Sequence, residues 1–92
     1  MIDQARKDIL KALATEWPDS SCYAEPFGAD SFALYVIWDG FKPGEEEDVR
    51  QRRVRDAVGK RLGEEAAAAL EYVAFIFAWT FKEKKQYDID KL

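Results

Sequence analysis

Ninety-two residues suit one domain that buries roughly 60 to 65% of the surface its unfolded chain exposes, so a single compact core is available. With 14 Lys plus Arg against 18 Asp plus Glu, the net charge of -4 argues against an overall electrostatic grip on nucleic acid or on an anionic membrane surface. Histidine is absent and Cys22 is the sole cysteine, which removes the usual neutral-pH general base, the commonest metal ligand, any Ser-His or Cys-His pair, and an intramolecular disulfide.

The opening MIDQARKDIL has no apolar core of signal-peptide length, and no segment approaches the roughly 20 apolar residues that span a bilayer. A soluble, cytoplasmic protein is the expectation. Ile2, Ala5, Ile9, Leu13 and Trp17 recur at helical spacing, with Asp3, Arg6, Lys7, Asp8 and Lys11 on the other side, so a first amphipathic helix is predicted up to Pro18. Cys22 to Phe27 reads as a short strand, and Pro26 assigns it to an edge or to a strand end.

Ser31 to Trp38, SFALYVIW, is apolar in both alternating sets and is predicted to be a central strand. Asp39-Gly40 and Pro43-Gly44 then punctuate the chain; Asp39 sits where a catalytic carboxylate sometimes stands, but Asp-Gly is first a turn signal. EEEDVRQRRVRDAVGKRL follows as a second helix, acids first and bases last in keeping with the macrodipole, with a narrow stripe of Val54, Ala57, Val58 and Leu62. The acids Glu45 to Asp48 need no cation to explain them.

Gly63 caps that helix, and Glu64 to Leu70 reads as a separate short one. Glu71 to Phe81 is a strand greasy on both faces, with Val73, Phe75, Phe77, Trp79 and Phe81 alternating against Tyr72, Ala74, Ile76 and Ala78. After it, the polar residues 84–92 form a tail, either a frayed helix or disordered. The expected architecture is therefore α+β over residues 1–83, in the order α-β-β-α-α-β, with a three-stranded sheet and helices packed on one face.

Several short motifs carry a resemblance. Phe41 follows the second strand, Arg50-Gln51-Arg52-Arg53-Val54 stands at the head of the next helix, and Thr80-Phe81-Lys82-Glu83 closes the last strand. In this the chain resembles the BolA family, whose domains are of the second KH type. The resemblance implies a non-enzymatic protein, without a cofactor of its own, that partners monothiol glutaredoxin-like proteins in iron-sulfur or redox homeostasis. It also implies a cluster ligand near Cys22, in the loop between the first two strands, and a second at Tyr72, where the family has histidine. Tyr72 and Gln51 replace both motif histidines, and a neutral phenol is a poor cluster ligand.

The expected interaction surface comprises Arg50, Arg52, Arg53, Arg55, Lys60 and Arg61 of the second helix with Tyr72 and Trp79. A sheet face rich in rings calls for a covering partner, for self-association or for the folded-back tail. Two other readings stay open: a KH-like nucleic-acid binder using the Arg50 to Arg61 helix, and a small acidic inhibitor or immunity-type protein. The first lacks a Gly-x-x-Gly loop, since Gly59 and Gly63 are one residue too far apart.

Overall fold

The computed structural model describes residues 2–91. A mixed sheet of three strands runs in the order β1 (Ser21–Pro26), β2 (Phe32–Ile37), β3 (Val73–Trp79). β1 and β2 form an antiparallel hairpin that sets Cys22 opposite Val36 and Tyr23 opposite Tyr35. β3 lies parallel to β2, with Leu34 beside Ile76, Tyr35 beside Phe77 and Val36 beside Ala78. A parallel partner needs a long crossover, and α2 (Glu47–Leu62) and α3 (Ala66–Leu70) provide it. Among the described residues, no helix is long and apolar enough to cross a membrane.

Alternation along the strands sorts the side chains. Leu34, Val36, Ile76 and Ala78 point to one face and are buried there with Ile9 and Leu13 of α1 (Ile2–Glu16) and with Val54, Ala57 and Val58 of α2. Each fully buried Leu, Ile, Val or Phe contributes about 1.5 to 3 kcal/mol on burial. On α3 the inward residues are Ala66 and Ala69, small enough for so short a helix to lie close to α1. The turn into it depends on Gly63, whose φ of 59° suits glycine and whose N–H reaches the Gly59 carbonyl at the end of α2.

An aromatic plug closes one end of the sheet. Trp17, just past α1, stacks on Trp38, just past β2, with ring centroids 4.1 Å apart, and Phe41 meets both rings edge-on. Trp38 donates its indole N–H to Asp19 at 2.9 Å, which ties the β1 approach to the β2 exit. Gly40 is required beside this stack, because a Cβ there would stand inside the van der Waals envelope of the Trp38 ring.

Most elements lie within a residue or two of expectation, and the largest departure is at the C-terminal end. The last strand ends at Trp79, and the segment expected as a tail or a frayed helix forms α4 (Phe81–Lys91). The reason lies in Thr80 and Glu83: the Glu83 backbone N–H donates to Thr80 Oγ1 at 3.1 Å, while Thr80 N–H donates to Glu83 Oε1 at 2.9 Å. This is a reciprocal capping box, which satisfies two helix-start donors and stops the strand. Phe81 N–H donates to Asp39 Oδ1 at 3.0 Å, so the Asp-Gly turn acts as an anchor for α4.

Leu34→Ala is expected to lower unfolding stability by about 2 to 5 kcal/mol with an unchanged urea m-value, and Gly40→Ala by about 1 to 3 kcal/mol through overpacking against Trp38; urea titration followed by circular dichroism measures both.

Candidate functional site: the open face of the sheet

On the side away from α1, α2 and α3 the strands carry rings. Across the sheet, Tyr23 stacks on Tyr35 at 4.6 Å between centroids, and Tyr35 stacks on Phe77 at 5.0 Å. Along β3, Phe77 lies 5.6 Å from Trp79 and 6.2 Å from Phe75, and Phe27 meets Phe75 edge-on at 4.9 Å. These are ordinary attractive ring geometries, each adding about 0.5 to 1.5 kcal/mol beyond area burial. The platform is unevenly covered: Phe75 is 48% and Phe27 50% exposed, whereas Tyr23, Tyr35, Phe77 and Trp79 are half-buried. Burial, and after it Glu25, pushes the Tyr35 hydroxyl above the usual tyrosine range, so it is a neutral donor at pH 7, and it donates to Glu25 at 3.2 Å.

α4 covers the Trp79 end. Tyr87 stacks on Trp79 at 5.0 Å, and the Lys84 ammonium lies 5.8 Å from the Trp79 ring and 5.6 Å from that of Tyr87. What holds the start of this helix is Arg50. Only 3% exposed, Arg50 donates to the Ala78 carbonyl at 3.1 Å, to the Lys42 carbonyl at 2.6 Å and to both carboxylate oxygens of Glu83, and it stacks over Phe41. The bidentate fork joins α2, the loop before it, the end of β3 and the first turn of α4. Arg50 holds the Glu83 carboxyl below the usual range against the opposing effect of burial, with the Thr80 N–H adding to the same direction.

The basic residues expected to form an interaction surface do not converge. Arg50 is interior and is corrected to a structural residue. Arg53 pairs with Glu45 at 3.0 Å and lies over Trp38 and Phe41, so it belongs to the aromatic plug. Lys60 and Arg61 both bind Glu16 of α1, at 3.0 and 2.9 Å, and hold its carboxyl below the usual range. Arg52 and Arg55 alone of this set are exposed without an ion-pair partner among the described residues. Tyr72 packs against the helix-face core at the opposite end of β3 from Trp79, and its carbonyl accepts the Phe32 N–H at 2.9 Å.

Strand register also separates the two residues at the family's ligand positions. Cys22 pairs with Val36, whereas Tyr72 borders Phe32, four residues back along β2, on the order of 13 Å at 3.3 Å per residue. One ion cannot bind both, and Cys22 is at the far end of β1 from the hairpin loop. Its thiol, pushed up by burial and 3.4 Å from Ser20 Oγ, behaves as a half-buried hydrophobe. Among the described residues no group of three or more Cys, Asp or Glu side chains is placed to hold a metal.

The residues that do assemble include Tyr23 and Phe27, neither of which is on the two strands expected to carry the rings. The signal for Tyr23 was available in a hairpin register that puts it beside Tyr35; no local pattern marked Phe27. Comparison with protein-family models, curated proteins and solved structures finds no match to this chain.

The Arg50–Glu83 clamp has a defined pH window. Glu83 has a lower pKa folded than unfolded, so its contribution is complete well above the ordinary Glu value of about 4.3 and is lost as pH falls through the lower folded value. Arg50→Met is expected to cost about 3 kcal/mol and Glu83→Gln, at a partly exposed position, about 1 kcal/mol at pH 7; the deficit of Glu83→Gln relative to wild type should shrink below pH 4, measured by urea denaturation at each pH.

Proposed function

We propose that this chain is a non-enzymatic, BolA-like protein-interaction module that docks a partner on the open face of its sheet, with a monothiol glutaredoxin-like protein as the partner class. The observation that carries the reading is the ring platform on that face, uncovered at its Phe75 end. Rigid aromatic side chains give large contact area at low entropic cost, and contiguous apolar surface of this kind is uncommon on monomers that bind nothing. Support for the class comes from the element order and from the antiparallel-then-parallel sheet, which match the KH arrangement of the second type.

Docking occurs on the face and not by adding a strand to β3. The outward carbonyls of Ile76 and Ala78 are already taken by Gln51, at 3.1 Å, and by Arg50, and a register shift interrupts the ladder near Phe75. A bulged, side-chain-capped edge is a poor template for another strand. Stacked rings also accept nucleobases, but here the platform holds Glu25, and Lys84, the cation over its Trp79 end, is paired with Asp88, which favours a protein partner. Iron-sulfur chemistry, on this reading, belongs to the partner.

Titrating isotope-labelled protein with a monothiol glutaredoxin should shift the amides of Ala33, Tyr35, Phe75 and Phe77, and Phe75→Glu should weaken the complex at least about tenfold while leaving the core spectrum intact. Shifts confined to α2, or none at all, overturn the reading. A salt-dependent complex with a single-stranded oligonucleotide on the same rings would replace it with nucleic-acid binding.

A further inference from the structure

The attachment of α4 is lopsided. Its first turn is fixed by the Thr80 and Glu83 capping box, by the two-oxygen grip of Arg50 on Glu83 and by the Asp39 bond to the Phe81 N–H. Beyond that turn, it meets the sheet through the Tyr87 stack on Trp79 and through Lys84, whose charge, with that of Asp88, also reaches Tyr23 on β1. Tyr87 remains 44% exposed in this docked position, and Ile89 on the opposite side of the helix is 53% exposed. Lys84 with Asp88 and Gln86 with Asp90 are i,i+4 pairs within α4, so these bonds add nothing to its hold on the sheet, and so short a helix is marginal once released.

We propose that α4 is a strap that autoinhibits the platform: held by its first turn and opening by unwinding beyond it, it covers the Trp79 end of the ring face, and a partner must displace it to engage the full row from Tyr23 to Trp79. This regulation rests on the docking reading above. The firm anchor keeps the helix tethered beside the face, and beyond it Tyr87 and Lys84 meet the platform only at its Trp79 end among the contacts described.

Two full-length variants test it. Tyr87→Ala removes the stack, and Asp88→Pro breaks the helix beyond the first turn while keeping the ring. Both should speed amide hydrogen exchange at residues 84–90 and leave β2 exchange unchanged. Both should also raise the fluorescence of added 8-anilinonaphthalene-1-sulfonate and tighten binding of a monothiol glutaredoxin by about three- to tenfold. Unchanged exchange and dye binding, or weaker glutaredoxin binding by both variants, overturns the strap, the latter because α4 would then be part of the interface. If neither wild type nor variants bind glutaredoxin, the docking reading fails, and exchange and dye binding decide the strap alone.

Discussion

A central strand with no wet side sets the terms for this fold. Phe32, Ala33, Leu34, Val36 and Ile37 of β2 are all buried, so the sheet must be covered above and below. Three helices fill one side with aliphatic packing. On the other, Tyr23 and Phe77 lean against Tyr35 from the flanking strands, and α4 covers one end. The rings therefore shield the reverse of β2 and at the same time leave Phe27 and Phe75 about half exposed at one end of the face.

The second constraint is a charge in the interior. Taking a guanidinium out of water is costly unless its donors are matched, and Arg50 finds two carbonyls and a bidentate carboxylate, while its Nε makes no hydrogen bond but lies 3.8 Å from the Glu45 carboxylate. Because those partners come from three segments outside α2, this one side chain couples the start of α2 to the direction of α4. It also explains why a helix so rich in arginine offers so little free positive charge: Arg53, Lys60 and Arg61 hold carboxylates of the loop before α2 and of α1. What remains for a partner is a face with few charges, bounded on one side by a strand edge that side chains of α2 have closed.

Periodicity in the sequence was a good guide wherever one element's own pattern decided its fate. The amphipathic stripe of α1, the doubly apolar β2, the edge strand marked by Pro26 and the break at Gly63 all stand where the residues put them. α4 was legible in part. Thr80-Phe81-Lys82-Glu83 has the spacing of a capping box, but the polar composition that follows, with Tyr87 and Ile89 widely spaced, gives no stripe for a core to bind. Its docking depends on Arg50 and Trp79, 33 and 8 positions from Glu83 and Tyr87 respectively, and such distant pairings leave no local trace.

The residues alone determined the fold class, the element order through the last strand and the presence of more aromatic side chains than one core could absorb, because helix and strand periods and turn chemistry are local properties. Only the tertiary structure decided which rings face outward, that the basic helix is largely spent on internal carboxylates, and that Cys22 and Tyr72 lie at opposite ends of β2. Those outcomes follow from strand register and from which carboxylate each cation meets, and both are set by contacts between segments far apart in the chain.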